Sequence, residues 1–168
     1  MSLANAPRAG LLRRLAALMY DLLVGLALYM MVGSLLFGGI SLAVQAGLIP
    51  MNGHEHVIDV LRTTPWLQLT NELGKLFALA YFFVWSWSRS GQTLGMRAWR
   101  LRVQNTDGSL ISYAQGWRRV LYAFAGLANI SLLWDRNGVA LHDRLSHSEV
   151  VLLTAEQNQQ LLERSNLR

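Results

Sequence analysis

Cysteine is absent from the chain, which removes disulfides and thiolate chemistry and leaves the redox compartment undetermined. Charge is also scarce: Asp, Glu, Lys and Arg make up 15% of the residues, against about 25% in an ordinary soluble domain. No glycine-rich phosphate loop of the P-loop form and no zinc-protease helix motif occurs. Ser146, His147 and Asp143 crowd onto one short turn and cannot line up as nucleophile, base and orienting group. The chain is therefore not expected to be an enzyme, and no cofactor is implied. The formal net charge of +5 comes from arginines beside apolar runs rather than from a basic arm. Nucleic acid is accordingly not an expected partner, and positive loops flanking membrane spans account for the charge.

What the chain has in plenty is apolar surface, with 52% hydrophobic residues and a mean hydropathy of +0.26. One small membrane domain is the natural reading. The first apolar run, Leu15 to Val44, contains a single charge, Asp21, and exceeds the ~20 residues a bilayer requires. The N-terminus, with Arg8, Arg13 and Arg14 before this run, is basic and then apolar like a signal peptide. The run's length and its aspartate make it an uncleaved first span, whose helix is expected to start near Arg8 or Ala9. Gly25, Gly33, Gly38 and Gly39 along it would allow close helix approach. A carboxylate at that depth is costly and rarely incidental. Arg14 precedes Asp21 by about two helical turns, so both share a face about 10 Å apart, too far for direct contact unless the arginine reaches inward or a third group bridges.

Gln45 to Thr70 reads as an external polar loop broken by Pro50, Asn52-Gly53 and Pro65. His54 and His56, with Glu55 and Asp59 nearby, are weak metal candidates. Solvated loop polarity is the plainer account of them. Ile58 to Leu61 is expected as a short interfacial turn, with Trp66 at an aromatic belt. The second span runs from Leu67 or Leu73 to Trp87. Near its outer end Glu72 and Lys75 can pair on one face or reach separately to water.

Residues 89 to 119 hold Arg89, Arg97, Arg100, Arg102, Arg118 and Arg119 against one acid, Asp107. The positive-inside rule places this segment, and the N-terminus two spans away, in the cytoplasm. Leu101 to Gln104 alternates like a strand, Asn105 to Gly108 marks a turn, and Ser148 to Leu153 is the candidate partner strand. Pairing requires both strands on one side. Val120 to Trp134, ~15 residues and short of a span, is therefore read as re-entrant or interfacial, a third span being the alternative. The expected fold is an all-α membrane protein: two full transmembrane helices, that short segment, and a small cytoplasmic β-hairpin-like strand pair. Residues 9–153 form the membrane domain, and residues 154–168 a polar tail, either a frayed helix or disordered.

These segments together resemble the RDD family of small bacterial membrane proteins, named for one arginine and two aspartates. Arg14 and Asp21 in Arg-Leu-Ala-Ala-Leu-Met-Tyr-Asp are similar to the family's arginine and first aspartate, and Asp143 in Leu-His-Asp-Arg-Leu to the second. Gly91-Gln92-Thr93-Leu94-Gly95, followed by Leu101-Arg102-Val103 and Asp107-Gly108, is similar to the family's central loop motif. The chain departs from the family at Met96, where lysine is usual, and at Arg100, where glycine is usual. It departs again at Ser146-His147-Ser148, where the family prefers Ala-Gly-Thr. The resemblance implies the bacterial cytoplasmic (inner) membrane and transport of an unspecified ligand, with some members looking like sodium/proton antiporters.

Two roles are open for Arg14, Asp21, His142, Asp143 and Arg144. Asp21 and Asp143 could exchange a cation and a proton, with Arg14 tuning them and His142 and His147 beside the relay. Two spans per chain would then require an oligomer. Alternatively these residues, in the Arg136 to Arg144 turn and on the first helix, form a buried structural network whose breakage costs ~3–5 kcal/mol. A third class is an accessory subunit binding a partner membrane protein or anionic lipid. Arg97, Arg100, Arg102, Arg118 and Arg119 would then form a lipid-facing basic cluster, each worth about 1 kcal/mol at an anionic surface. The expected partners are the bilayer, a second copy or another membrane protein, and anionic lipid. Both termini are expected in the cytoplasm.

Overall fold

A computed structural model describes residues 3–135 and 139–166. Its helices are α1 (Leu11–Gln45), α2 (Val57–Thr63), α3 (Pro65–Arg89), α4 (Leu94–Ala98), α5 (Tyr113–Ala123), α6 (Leu141–Leu145) and α7 (Ala155–Asn166). A 3-10 helix, Phe124–Leu133, follows α5, and two strands, β1 (Leu101–Gln104) and β2 (Glu149–Leu152), complete the elements. The mostly helical architecture with one small antiparallel strand pair agrees with the expectation.

The apolar run forms a single helix of 35 residues, about 50 Å long against a hydrocarbon thickness of ~30 Å. Leu23, Leu26, Met30, Leu35 and Leu42 are exposed on it, and almost none of its apolar stretch is covered by the rest of the chain. A helix that is apolar all round requires an apolar surrounding, a protein core or a bilayer, and the rest of the chain covers almost none of it. Among the described residues α1 alone is long and apolar enough to cross a membrane by length and composition.

The chain divides into two compact units, Met1–Val24 with Ala80–Arg168, and Gly25–Leu79. In the second unit the rest of α1 packs on α2 and the first part of α3. Of the four glycines noted on α1, Gly25 and Gly33 meet opposing side chains, Leu79 and Lys75, while Gly38 and Gly39 have nothing within 4 Å. Val60, Leu61 and Leu67 close the loop end of this unit against Phe37, Ile40, Ile49 and Met51. The external loop is shorter than expected. Pro65 opens α3 instead of breaking the chain, as a residue that lacks an N–H can at a first helical position.

In the first unit β1 and β2 pair antiparallel, Leu101 opposite Leu152 and Gln104 opposite Glu149. The N-terminal lead lies along β2: Ala9 N–H donates to Val150 O at 2.9 Å, and Leu152 N–H to Pro7 O at 2.7 Å. These bonds hold residues 7 to 9 extended, so α1 begins at Leu11 and not at Arg8 or Ala9. Ala9, Ala17, Trp87, Met96, Leu101, Val103, Ile111 and Val150 form the core. The third apolar segment, Val120 to Trp134, is not one α-helix: α5 gives way at Phe124 to a 3-10 helix of 10 residues. The polar tail is a docked helix. Leu161 packs with Leu3, Val151 and Leu153, and Asn158 bonds into the central loop.

Candidate functional site

Asp21 lies on α1 facing the loop that links α3 to β1. Its Oδ2 accepts the Thr93 hydroxyl at 2.5 Å and its Oδ1 accepts the Gly95 backbone N–H at 2.8 Å. Thr93 caps α4 and in turn accepts the Met96 N–H at 3.2 Å. The carboxylate thus takes one N–H of the first turn of α4 and the Thr93 hydroxyl takes another, groups that a helix cannot pair from within. A Cβ on Gly95 would stand 2.1 Å from Ala17 O and 2.9 Å from Asp21 Cγ. Only glycine allows α4 to seat this closely on α1. Gly91, at φ +77°, turns the chain so that its carbonyl accepts Val103 N–H at 2.8 Å. Gln92 donates to Leu101 O and to Asn158 Oδ1, tying the loop to β1 and α7.

Asp143, on α6, is a separate centre. Arg14 Nη1 donates to its Oδ2 at 2.5 Å, and Arg119 Nη1 of α5 stands 2.6 Å from its Oδ1. All three side chains are almost fully buried. Burial opposes ionisation of Asp143, but Arg119 and Arg14 override it and hold its carboxyl at about 2. His142 Nε2 lies 3.3 Å from the same carboxylate. Burial, and then the charge of Arg119, lower the imidazole to about 3, so it is neutral at physiological pH. Arg119 also lies over the Trp87 ring at 5.2 Å and donates to Ser148 Oγ at 2.7 Å. Ser146 Oγ bonds Ser148 Oγ at 2.8 Å and donates to His142 O. Ser146 and Ser148 thus extend the polar layer around Arg119.

The expected single network is two centres. Asp21 does not meet Arg14; its partners are Thr93 and Gly95. Arg144 stands outside, paired with Asp135 and largely exposed, because α6 turns His142 and Asp143 inward and its neighbour outward. Arg136 lies outside the described residues. The expected lipid-facing cluster is also divided. Arg119 is buried on Asp143, and Arg102 is buried beside Gly91, whereas Arg118 is exposed and Arg97 and Arg100 are half-buried. Arg100 and His147 both have left-handed backbones, φ +57° and +52°, a conformation that glycine adopts readily. His54 Nε2 lies 3.0 Å from Thr63 Oγ1, His56 is exposed, and no three His, Cys, Asp or Glu residues gather as metal ligands among the described residues.

A second polar cluster lies within Gly25–Leu79. Glu72 and Lys75 pair as one of the expected alternatives, Nζ to Oε1 at 2.7 Å. Tyr29 joins them from α1, donating its hydroxyl to Glu72 Oε2 at 2.7 Å, with its ring 4.4 Å from Lys75 Nζ. No sequence signal marked Tyr29, since an aromatic in an apolar run looks like packing. Arg119 was likewise read as a surface charge because its burial depends on Asp143, far along the chain.

An uncovered apolar helix, a strand pair joining distant segments and a buried Arg–Asp centre define a small membrane domain. The RDD family model matches residues 8–147, and the chain belongs to that family. No curated protein and no solved structure matches it.

Proposed function

We propose that the chain is a multi-pass protein of the bacterial cytoplasmic membrane, crossing it with α1 and α3, that takes part in moving a cation or small ligand. The observation that supports this is the Tyr29–Glu72–Lys75 cluster, because ionisable groups inside apolar helices are costly and mark functional positions. By length the 25 residues of α3, about 37 Å, reach across a bilayer although α3 is less apolar than α1, and its charged pair is neutralised internally. The arginine-rich central loop supports a cytoplasmic location for that side, and the pairing of β1 with β2 supports the same side for the C-terminal part. Asp21 and Asp143 serve in this reading as the frame, since protein groups already hold their oxygens. Two spans are too few for an alternating-access carrier, so a homo-oligomer or a partner membrane protein completes it. The test is cation-driven pH change in everted vesicles. Wild type is expected to respond and Glu72→Gln, at equal membrane abundance, to be silent. A silent wild type would rule out the transport role.

A second reading, an accessory subunit that binds another membrane protein or anionic lipid, is supported by the same engagement of both motif aspartates, which suits a purely structural role. Recovery of a stoichiometric partner in mild detergent would favour it, and a stable oligomer without one would count against it.

A further inference from the structure

Lys75 is the only lysine in a chain whose other basic residues are all arginine. Its ammonium is lodged between Glu72 Oε1 and the face of Tyr29, and its stem crosses Gly33, where a Cβ would stand 3.1 Å from Lys75 Cδ. One helical turn before it, on the same face, Asn71 is buried to 8% exposure, and its Oδ1 accepts no hydrogen bond. A buried amide oxygen without a donor is costly and calls for a counterpart. Helical spacing sets Asn71 and Glu72 on either side of Lys75, and the acceptors within reach of that position are oxygen: the two of Glu72, the Tyr29 hydroxyl and, one turn before Lys75, the Asn71 amide. Such sets suit hard cations rather than soft metals. The single carboxylate matches a single positive charge, which an ammonium on a flexible four-carbon stem now supplies.

We propose that Glu72, Tyr29 and Asn71 form a binding site for a monovalent cation, in which the Lys75 ammonium is a tethered occupant that swings aside when the cation enters. The exchange is neutral, one positive charge leaving as another arrives, so the carboxylate is never left uncompensated among apolar helices. The Glu72 side chain is 45% exposed, the least covered member of the cluster. Arginine could not serve as the occupant, because its planar fork grips a carboxylate at two points. For its purpose the site rests on the transport reading; for its existence it rests on these residues alone.

The experiment is binding of radiolabelled sodium to the full-length protein in detergent at constant pH, with potassium and lithium as competitors. Wild type is expected to bind saturably at one site. Lys75→Met removes a tethered competitor whose effective concentration is of millimolar order, and should tighten binding tenfold or more. Glu72→Gln should abolish binding, and Asn71→Ala, the milder change, should weaken it several-fold. Should Glu72→Gln fail to fold, the Lys75 and Asn71 variants decide the matter. Unchanged affinity in Lys75→Met and Asn71→Ala, or no saturable binding of any of the three ions even to Lys75→Met, would overturn the site. Vesicle flux without such binding would remove the site and keep the transport role; binding without flux would do the reverse.

Discussion

Gly95 donates its backbone N–H to Asp21 at 2.8 Å across 74 residues of sequence, and the same glycine leaves no room for a side chain against the carbonyl of Ala17. Asp21 and Gly95 are thus two halves of one contact. Gly95→Ala should therefore be among the most damaging single-methyl changes in the chain, costing about 3 kcal/mol by overpacking against backbone. Asp21→Asn, which loses charge-assisted hydrogen bonds but keeps the shape, should cost roughly 1.5–3 kcal/mol. Thermal melting of the detergent-solubilised variants would rank them. A Gly95→Ala protein as stable as wild type would contradict the contact.

Asp143 holds two buried guanidiniums, so Asp143→Asn leaves both without a counter-charge and should destabilise by ~3–5 kcal/mol. Arg144, paired with Asp135 at the surface, should be nearly indifferent: Arg144→Ala is expected to cost at most about 1 kcal/mol. Comparable losses from the two changes would mean that Arg144 belongs to the buried centre.

The neutral His142 makes stability depend on pH. Its imidazole titrates at 6.5 unperturbed and near 3 in the fold, through burial and the neighbouring Arg119. Between those values the unfolded chain binds a proton that the fold does not, so stability falls as pH drops, by up to ~1.4 kcal/mol per unit. Asp143, depressed from 3.8 to about 2 by the two arginines that outweigh its burial, stabilises fully above 3.8 and loses that contribution as pH falls through about 2. Melting temperatures between about pH 4 and 6.5 should slope downward toward acid, and His142→Gln should flatten the slope.

At Arg100 and His147 the backbone is left-handed, which costs a non-glycine residue about 1–2 kcal/mol, while glycine adds only ~0.5–1 kcal/mol of unfolded-state entropy. Arg100→Gly and His147→Gly should therefore each stabilise by roughly 0.5–1 kcal/mol. Equilibrium unfolding of the two variants would detect this, and a loss of stability would mean that the side chains make compensating contacts.

Because the chain has no cysteine, a single one placed after Leu153, as in Ala155→Cys, reports the side of the membrane on which β2 ends. Labelling from the cytoplasm is expected. Labelling from outside would require three spans and would be incompatible with two.

Much of the fold was legible in order along the chain. The long apolar run with its one aspartate gave α1, and alternation at Leu101 to Gln104 and after Ser148 gave the strand pair, because these patterns are local. The motif residues were legible as a set, and their partners were not. Arg14 and Asp21 share a helix face, yet one reaches α6 and the other the α4 loop. Arg119 looked like any arginine beside an apolar run. Residues 7 to 9 looked like the start of a helix until β2 claimed their hydrogen bonds, and Leu161 and Asn158 looked like a tail until they met a surface to dock on.

The sequence by itself determined that a long apolar helix exists, that charge is confined to its ends and to a few interior positions, and that two short strands could pair. Periodicity and transfer cost act within a single segment and need no partner. Only the tertiary structure decided which charge compensates which. Asp143 went to Arg14 and Arg119, Asp21 to the N–H and hydroxyl of the α4 turn, and Glu72 to Lys75 and Tyr29. A buried charge is stabilised by whatever group lies within hydrogen-bonding distance, and that distance is set by how helices far apart in sequence are packed.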